Sequence, residues 1–190
     1  MYIVIDCGHS KQTAGKHSPD KRFMEYEYNR VLGKMIGERL TKLGIEWCFT
    51  YPIDAEYDLS LSKRASVANQ KSKIYGSKNV LLLSIHHNAA SMGEWVNAEG
   101  FSVWTTNGKT ISDKYANIIL DVAKETLVPL GIKVRGHYEK NFTVIYKTTC
   151  PSVLIEYGFY TDKDEVEWLM SDEGLNTNAD LTVKAIEQMI

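Results

Sequence analysis

Apolar residues fall along this chain in two kinds of run, short continuous stretches and longer periodic ones. Tyr2 to Ile5 is apolar at every position, as in a strand buried on both faces, and it gives way to the polar segment Asp6 to Ser10. Residues 11–24 are polar, carry Gly15 and Pro19, and show no period, so they predict a long loop, a kind of segment that is often functional. From Glu25 onward Tyr28, Val31, Leu32, Met35, Ile36, Leu40 and Leu43 recur at helical intervals, with Gly44 as the stop signal. Ile45 to Tyr51 predicts the next strand. Asp58 and Ser60 offer N-caps for a second helix through Leu61, Ala65, Ala68 and Ile74, and Val80 to Ile85 returns to an apolar run.

The second half repeats the alternation. Gly100 to Thr105 alternates like a strand, residues 112–128 place Tyr115, Ile118, Ile119, Val122 and Leu127 on one helical face, and Pro129 with Gly131 ends that helix. Thr143 to Tyr146 is a short candidate strand, Ser152 to Ile155 a buried one, and Val166, Leu169, Leu181 and Ile186 mark two closing helices. No internal repeat or linker interrupts residues 1–190. The pattern predicts one α/β domain, a twisted and mostly parallel sheet of about six strands flanked by helices on both faces, with right-handed crossovers.

Composition narrows the classes. Hydrophobic residues make up 44% and charged residues 24%, ordinary for a globular domain, and the net charge of -2 provides no global positive field for a nucleic acid backbone. Cys7, Cys48 and Cys150 are odd in number and lack CxxC spacing, so they are expected to be reduced thiols. The start of the chain has no basic segment, and its apolar run is too short for a signal sequence or a spanning helix. Read from Met1, the chain is expected to be made in the cytoplasm without a signal peptide and not to insert into a membrane.

Candidate chemistry gathers at strand ends. His9 follows the first strand, His86 ends the third and Glu156 ends the last, and in open α/β sheets ligands bind outside the carboxyl ends of the strands. A single histidine there is more often a hydrogen-bonded structural group; the coincidence of three ionisable residues is the signal. Glu25 lies on the line of the helix's buried stripe, either as an N-terminal acid favoured by the helix dipole or as a ligand. Two imidazoles and one carboxylate with an open fourth position form a hydrolytic zinc pattern, leaving Glu156 free for proton transfer. Cys7, at the end of a buried strand, reads as a packed thiol rather than a nucleophile, and His87 would be the ligand only if the turn were shifted by one residue. His17 and His137 fall in polar stretches where solvated side chains are the default. Trp95, Trp104 and Tyr138 are weighed as a sugar platform against ordinary packing.

Together these residues resemble the zinc-dependent N-acetylmuramoyl-L-alanine amidases of the Amidase_3 type, over nearly the whole chain. Ile5 to His9 resembles the family's opening strand and first histidine, and Glu25 to Asn29 its Glu followed by Asn at the fifth position. Ser84 to Asn88 resembles its Ser-Ile-His-x-Asn box, and Pro151 to Phe159 its final Glu-x-Gly-Phe strand. The resemblance implies one zinc ion per chain held by His9, Glu25 and His86, with Glu156 catalytic. Leu61 to Arg64 and Ala68-Asn69 also match a family segment, with Arg64 and Asn69 read as structural or supporting. Asn88 is read as a turn former or as a residue orienting the loop after His86. The chain departs from the family pattern at Cys7, where Pro is usual, at Ser10, where Gly is usual, and in a short loop to Glu25; none of these removes a ligand.

The implied reaction is hydrolysis of the amide between N-acetylmuramic acid and L-alanine, with peptidoglycan or a muropeptide as substrate and no nucleic acid partner. A phage or prophage endolysin, acting on the wall after release, is favoured over a host amidase lacking its signal or wall-binding segment. The competing readings are a zinc carboxypeptidase or endopeptidase acting within the stem peptide, and a non-catalytic wall-binding module.

Overall fold

The computed structural model describes residues 1–190. Its centre is made by the three strands that are richest in apolar residues. β1 (Tyr2–Cys7), β3 (Val80–Asn88) and β6 (Ser152–Phe159) lie side by side and parallel. β2 (Trp47–Phe49) extends the sheet beyond β1, while β4 (Phe101–Thr105) pairs antiparallel with β6 and β5 (Val134–Glu139) pairs parallel with β4 at the far edge. The order is β2-β1-β3-β6-β4-β5, the six-stranded, mostly parallel sheet that the pattern predicts.

Side chains alternate between the two faces of a strand, and each face has its own helices. α1 (Glu25–Lys42), α3 (Ile111–Leu127) and α6 (Asp172–Glu187) pack over Ile3, Ile5, Leu81, Leu83, Val153 and Ile155. α2 (Leu61–Tyr75) and the one-turn α4 (Thr143–Tyr146) cover the other face over Val4, Leu82 and Leu154. Burying such a side chain stabilises the fold by about 1.5 to 3 kcal/mol, so the central strands supply most of the cohesion. α1 lies close to β1 because Gly33 has no side chain; a Cβ there would stand 2.6 Å from the Cys7 Sγ. α5 (Lys163–Met170) follows β6 and begins where the Asp162 carboxylate accepts the Asp164 and Glu165 N–H groups. No helix is long and apolar enough to cross a membrane.

Four details differ from the expectation. Thr143 to Tyr146 is a helical turn, not a strand: Tyr146 and Lys147 donate their N–H groups back to Phe142 and Thr143, and so short an apolar run carries no period to distinguish the two. The missing strand is Val134–Glu139, an edge strand whose residues are half-buried or exposed, so no apolar alternation marks it. β3 and β6 run past Ile85 and Ile155, which puts His86 and Glu156 inside the strands rather than at their ends. Ser60 precedes α2 without a side-chain cap, and the Asp58 carboxylate instead accepts hydrogen bonds from Thr13 and Arg64.

Candidate metal centre

Each candidate residue is delivered by a different element. His86 and Glu156 are register partners on β3 and β6, and therefore share one face of the sheet. His9 follows β1 after a backbone reversal in which its φ is +65°. Glu25 opens α1, its N–H bonded to the Lys16 carbonyl, at the end of a polar loop that Phe23 anchors by burying its ring against Tyr28. Phe23 is fully buried, a contribution its aperiodic polar neighbourhood did not announce.

Within this cluster Glu25 Oε1 lies 3.2 Å from His86 Nδ1 and also accepts the His87 N–H at 3.0 Å. Its other oxygen, Oε2, lies 3.4 Å from His9 Nε2 yet is buried with no hydrogen-bond partner. The His9 and His86 rings meet edge to face, with centroids 4.9 Å apart. One ligand atom from each of His9, Glu25 and His86 falls within 4.8 Å of the others. An orphaned carboxylate oxygen facing two imidazoles is what a divalent cation with nitrogen and oxygen preferences would satisfy, so the donor set fits zinc. Gly8 makes room for the arrangement, since a Cβ there would stand 2.2 Å from the His86 ring.

The surrounding groups are held by hydrogen bonds. Asn29, one turn beyond Glu25, donates to the Gly8 carbonyl at 2.9 Å and accepts from His87 Nδ1 at 2.9 Å. His87 is thereby turned away from the cluster, and His86 is the histidine that joins it. Sequence reading noted Asn29 without giving it a task, although the four-residue step from Glu25 already placed both on one helix face. Arg64 is buried, donating to Asp6 Oδ1 and to the Cys7 and Leu59 carbonyls, and also to the Tyr51 hydroxyl, which in turn donates to the His9 carbonyl at 2.8 Å. Asp6 also accepts from Thr50 and Ser84. Asn69 ties α2 to Lys147 and Thr149, and Asn88, the last residue of β3, accepts the Ala89 N–H.

Burial and neighbouring charge set the protonation. Burial alone would raise the Glu25 carboxyl, but the His86 hydrogen bond and the two imidazoles outweigh it and hold the group at about 2. Burial lowers His9 to about 4, against the pull of Glu25. At His86 burial is overcome by the hydrogen bond and charge of Glu25, and the imidazole is raised. Burial raises Glu156 to about 8, with the Glu25 charge adding to it and His86 opposing, and its Oε2 is buried without a partner. A carboxyl placed beside the His86 imidazole and Glu25 is in position for general acid and base work. Cys7 is buried and its thiol is pushed well above the ordinary range by burial; all three cysteines are free.

Other candidates fall elsewhere. His17 donates through Nδ1 to the Ser18 carbonyl. His137 is not in a solvated loop: it lies on β5 with Nε2 2.6 Å from the Thr105 hydroxyl. The Trp104 and Tyr138 rings pack at a 31° tilt with centroids 4.9 Å apart, and Trp104 pairs with Leu154, two residues from Glu156 and on the same face. Trp95 sits in the segment between β3 and β4, 37% exposed.

Comparison with known proteins supplies the lineage. The family model Amidase_3, described as N-acetylmuramoyl-L-alanine amidase, matches residues 3–188. The chain belongs to this family. Among solved structures, an N-acetylmuramoyl-L-alanine amidase of Clostridium difficile 630 superposes with a TM-score of 0.86 at 26% identity, covering 98% of this chain and 95% of that one. An endolysin of Bacillus phage SPP1 is 27% identical over 72% of this chain and 48% of its own length, so the chain spans about half of that relative. An uncharacterized protein of Bacillus subtilis, YqiI, is 24% identical over 97% of this chain and 82% of its own.

Proposed function

We propose that the protein is a zinc-dependent N-acetylmuramoyl-L-alanine amidase, cleaving the amide between the lactyl group of N-acetylmuramic acid and the L-alanine of the peptidoglycan stem. The observation that carries this reading is the convergence of His9, Glu25 and His86, with the Glu25 Oε2 unpartnered, beside a half-buried Glu156 whose own Oε2 is buried without a partner, in a chain of this family. His9, Glu25 and His86 would hold one zinc ion, which when bound supplies a Lewis acid and acidifies water. Glu156 takes the proton of the attacking water and delivers it to the departing alanine amine, which cannot leave as an anion. Its position in register with His86 keeps both proton transfers at one place. Asn29 and His87 hold the Gly8 and β3 backbones against Glu25, and Tyr51 fixes the carbonyl of His9, so the ligand side chains are oriented before substrate arrives.

The likeness to a phage endolysin supports a lytic role, in which the enzyme is made in the cytoplasm and reaches peptidoglycan once the membrane is breached. The test is zinc content and amine release on purified peptidoglycan for the wild type and Glu156→Ala together. The expected result is one zinc per chain in both, with new N-terminal alanine released at least about 100-fold more slowly by the variant. A protein without zinc, or undiminished release by Glu156→Ala, overturns the mechanism. Zinc with new end groups from within the stem peptide would identify a peptidase instead.

A further inference from the structure

A cavity of 540 Å³, within the range of small-molecule sites, lies behind β6 on the face away from Glu156: Tyr157, the next residue along the strand, lines it. We propose that this cavity binds a neutral N-acetylhexosamine unit, a second contact with the glycan separate from the metal cluster; the biological sense of this rests on the wall-polymer reading above.

Two indoles, Trp95 and Trp168, line the space, and Leu127, Ile132 and Leu169 supply an apolar lining. Flat aromatic faces suit the C–H face of a pyranose, and an apolar lining suits the methyl of an acetamido group. The polar requirement comes from Asn178, which lines the cavity, is 3% exposed, and has a carboxamide oxygen with no hydrogen-bond partner. Buried acceptors in native proteins are nearly always paired, and an acetamido N–H or a sugar hydroxyl would complete this one. Charge selects against other wall components. Glu99, Asp162, Asp164 and Glu165 face the cavity against Lys133 and Lys163, so phosphate-bearing polymers and the carboxylates of stem peptides are disfavoured. A buried ammonium is disfavoured too, because the Glu165 carboxylate is already occupied by the Gly100 and Phe159 N–H groups.

The Trp95 wall is built in advance. Val96 donates its N–H to the Thr161 carbonyl, Ala98 to the Asp162 carboxylate and Gly100 to Glu165, which ties the segment before β4 to the start of α5. A wall held this way loses little freedom when a ligand enters.

The test titrates the 190-residue protein with the β-1,4-linked trimer of N-acetylglucosamine while the indole N–H signals of its four tryptophans are followed by NMR. The trimer has no muramoyl–alanine bond, so binding is read without turnover, and failure of the amidase reading would leave this result unchanged. Saturable shifts of the Trp95 and Trp168 signals are expected, with Trp47 and Trp104 unmoved. Trp95→Ala and Asn178→Leu should each weaken binding at least about tenfold. Asn178→Leu should melt no lower than the wild type, because it removes an unsatisfied buried group, which separates lost binding from lost folding. No saturable shift, a shift at Trp104 instead, or undiminished binding by Trp95→Ala overturns the proposal.

Discussion

Two clusters in this molecule are built from similar parts and left in opposite states. At the candidate metal centre Glu25 is buried, His9, His86 and Glu156 are half-buried around it, and one oxygen of each carboxylate lacks a partner. Toward the other end of the sheet His137, Thr105 and Asp113 also meet, but every contact closes: Thr105 donates to Asp113 Oδ1 and lies 2.6 Å from His137 Nε2, while Asp113 Oδ2 accepts the Thr110 N–H in the capping box of α3. Buried Asp6 is a third case, fully engaged by Thr50, Arg64 and Ser84. Residue type does not separate these clusters; hydrogen-bond completeness does. A buried ionisable group left open is destabilising unless something else binds there, and that supports the open cluster as the proposed metal site.

The contrast can be broken most directly at Glu25. Replacing it with alanine should weaken zinc binding by more than about 100-fold, since even groups that only orient ligands are worth 10- to 100-fold, and equilibrium dialysis reads the result. Zinc retained at wild-type affinity would place the metal elsewhere. At the closed carboxylate, Arg64→Met should cost about 3 to 5 kcal/mol in denaturant unfolding by stranding the Asp6 charge, and replacing Asp6 with leucine in the same chain should recover part of it. If the single variant proves as stable as the double, the pair is not holding β1 to α2.

A smaller effect is expected from pH. Burial lowers His87 to about 4 from an ordinary 6.5, so its neutral form contributes stability that is fully present above about 6.5 and is lost as pH falls through 4. His87→Gln should therefore remove about 2 to 3 kcal/mol from the difference in stability between pH 7 and pH 4, measured by urea unfolding at each pH. Equal acid sensitivity in the variant would show that His87 does not stay neutral. The least effect belongs to the closed cluster: His137→Phe should lower stability by about 1 kcal/mol and leave zinc affinity untouched. A change in zinc binding there would erase the distinction between the two clusters.

Much of this was readable beforehand, for identifiable reasons. β1, β3 and β6 announce themselves because central parallel strands must be apolar on both faces, and the helix stripe exposed Glu25 as a carboxylate out of place. The candidate ligand set rests on ionisable residues near the ends of such strands and on the family resemblance, and the fold brings its members together. β5 was missed because an edge strand needs backbone pairing but little burial, so Val134 to Glu139 carries no pattern. α4 was misread because Val144 and Ile145, though buried, span a single turn. The supporting hydrogen bonds of Asn29, Tyr51 and Arg64 were hidden for another reason: they join residues far apart in the chain, and no local signal encodes which carbonyl a side chain will reach.

His9 occupies a left-handed backbone conformation that costs an ordinary residue about 1 to 2 kcal/mol and glycine almost nothing. By backbone conformation alone glycine is the easier choice at that position, and on the proposed zinc reading the imidazole's task keeps it out. In a descendant of this chain relieved of the proposed reaction, mutation would therefore be drawn toward glycine there before anything in the core had reason to change. The first trace of lost activity would be a domain that folds slightly better than its ancestor.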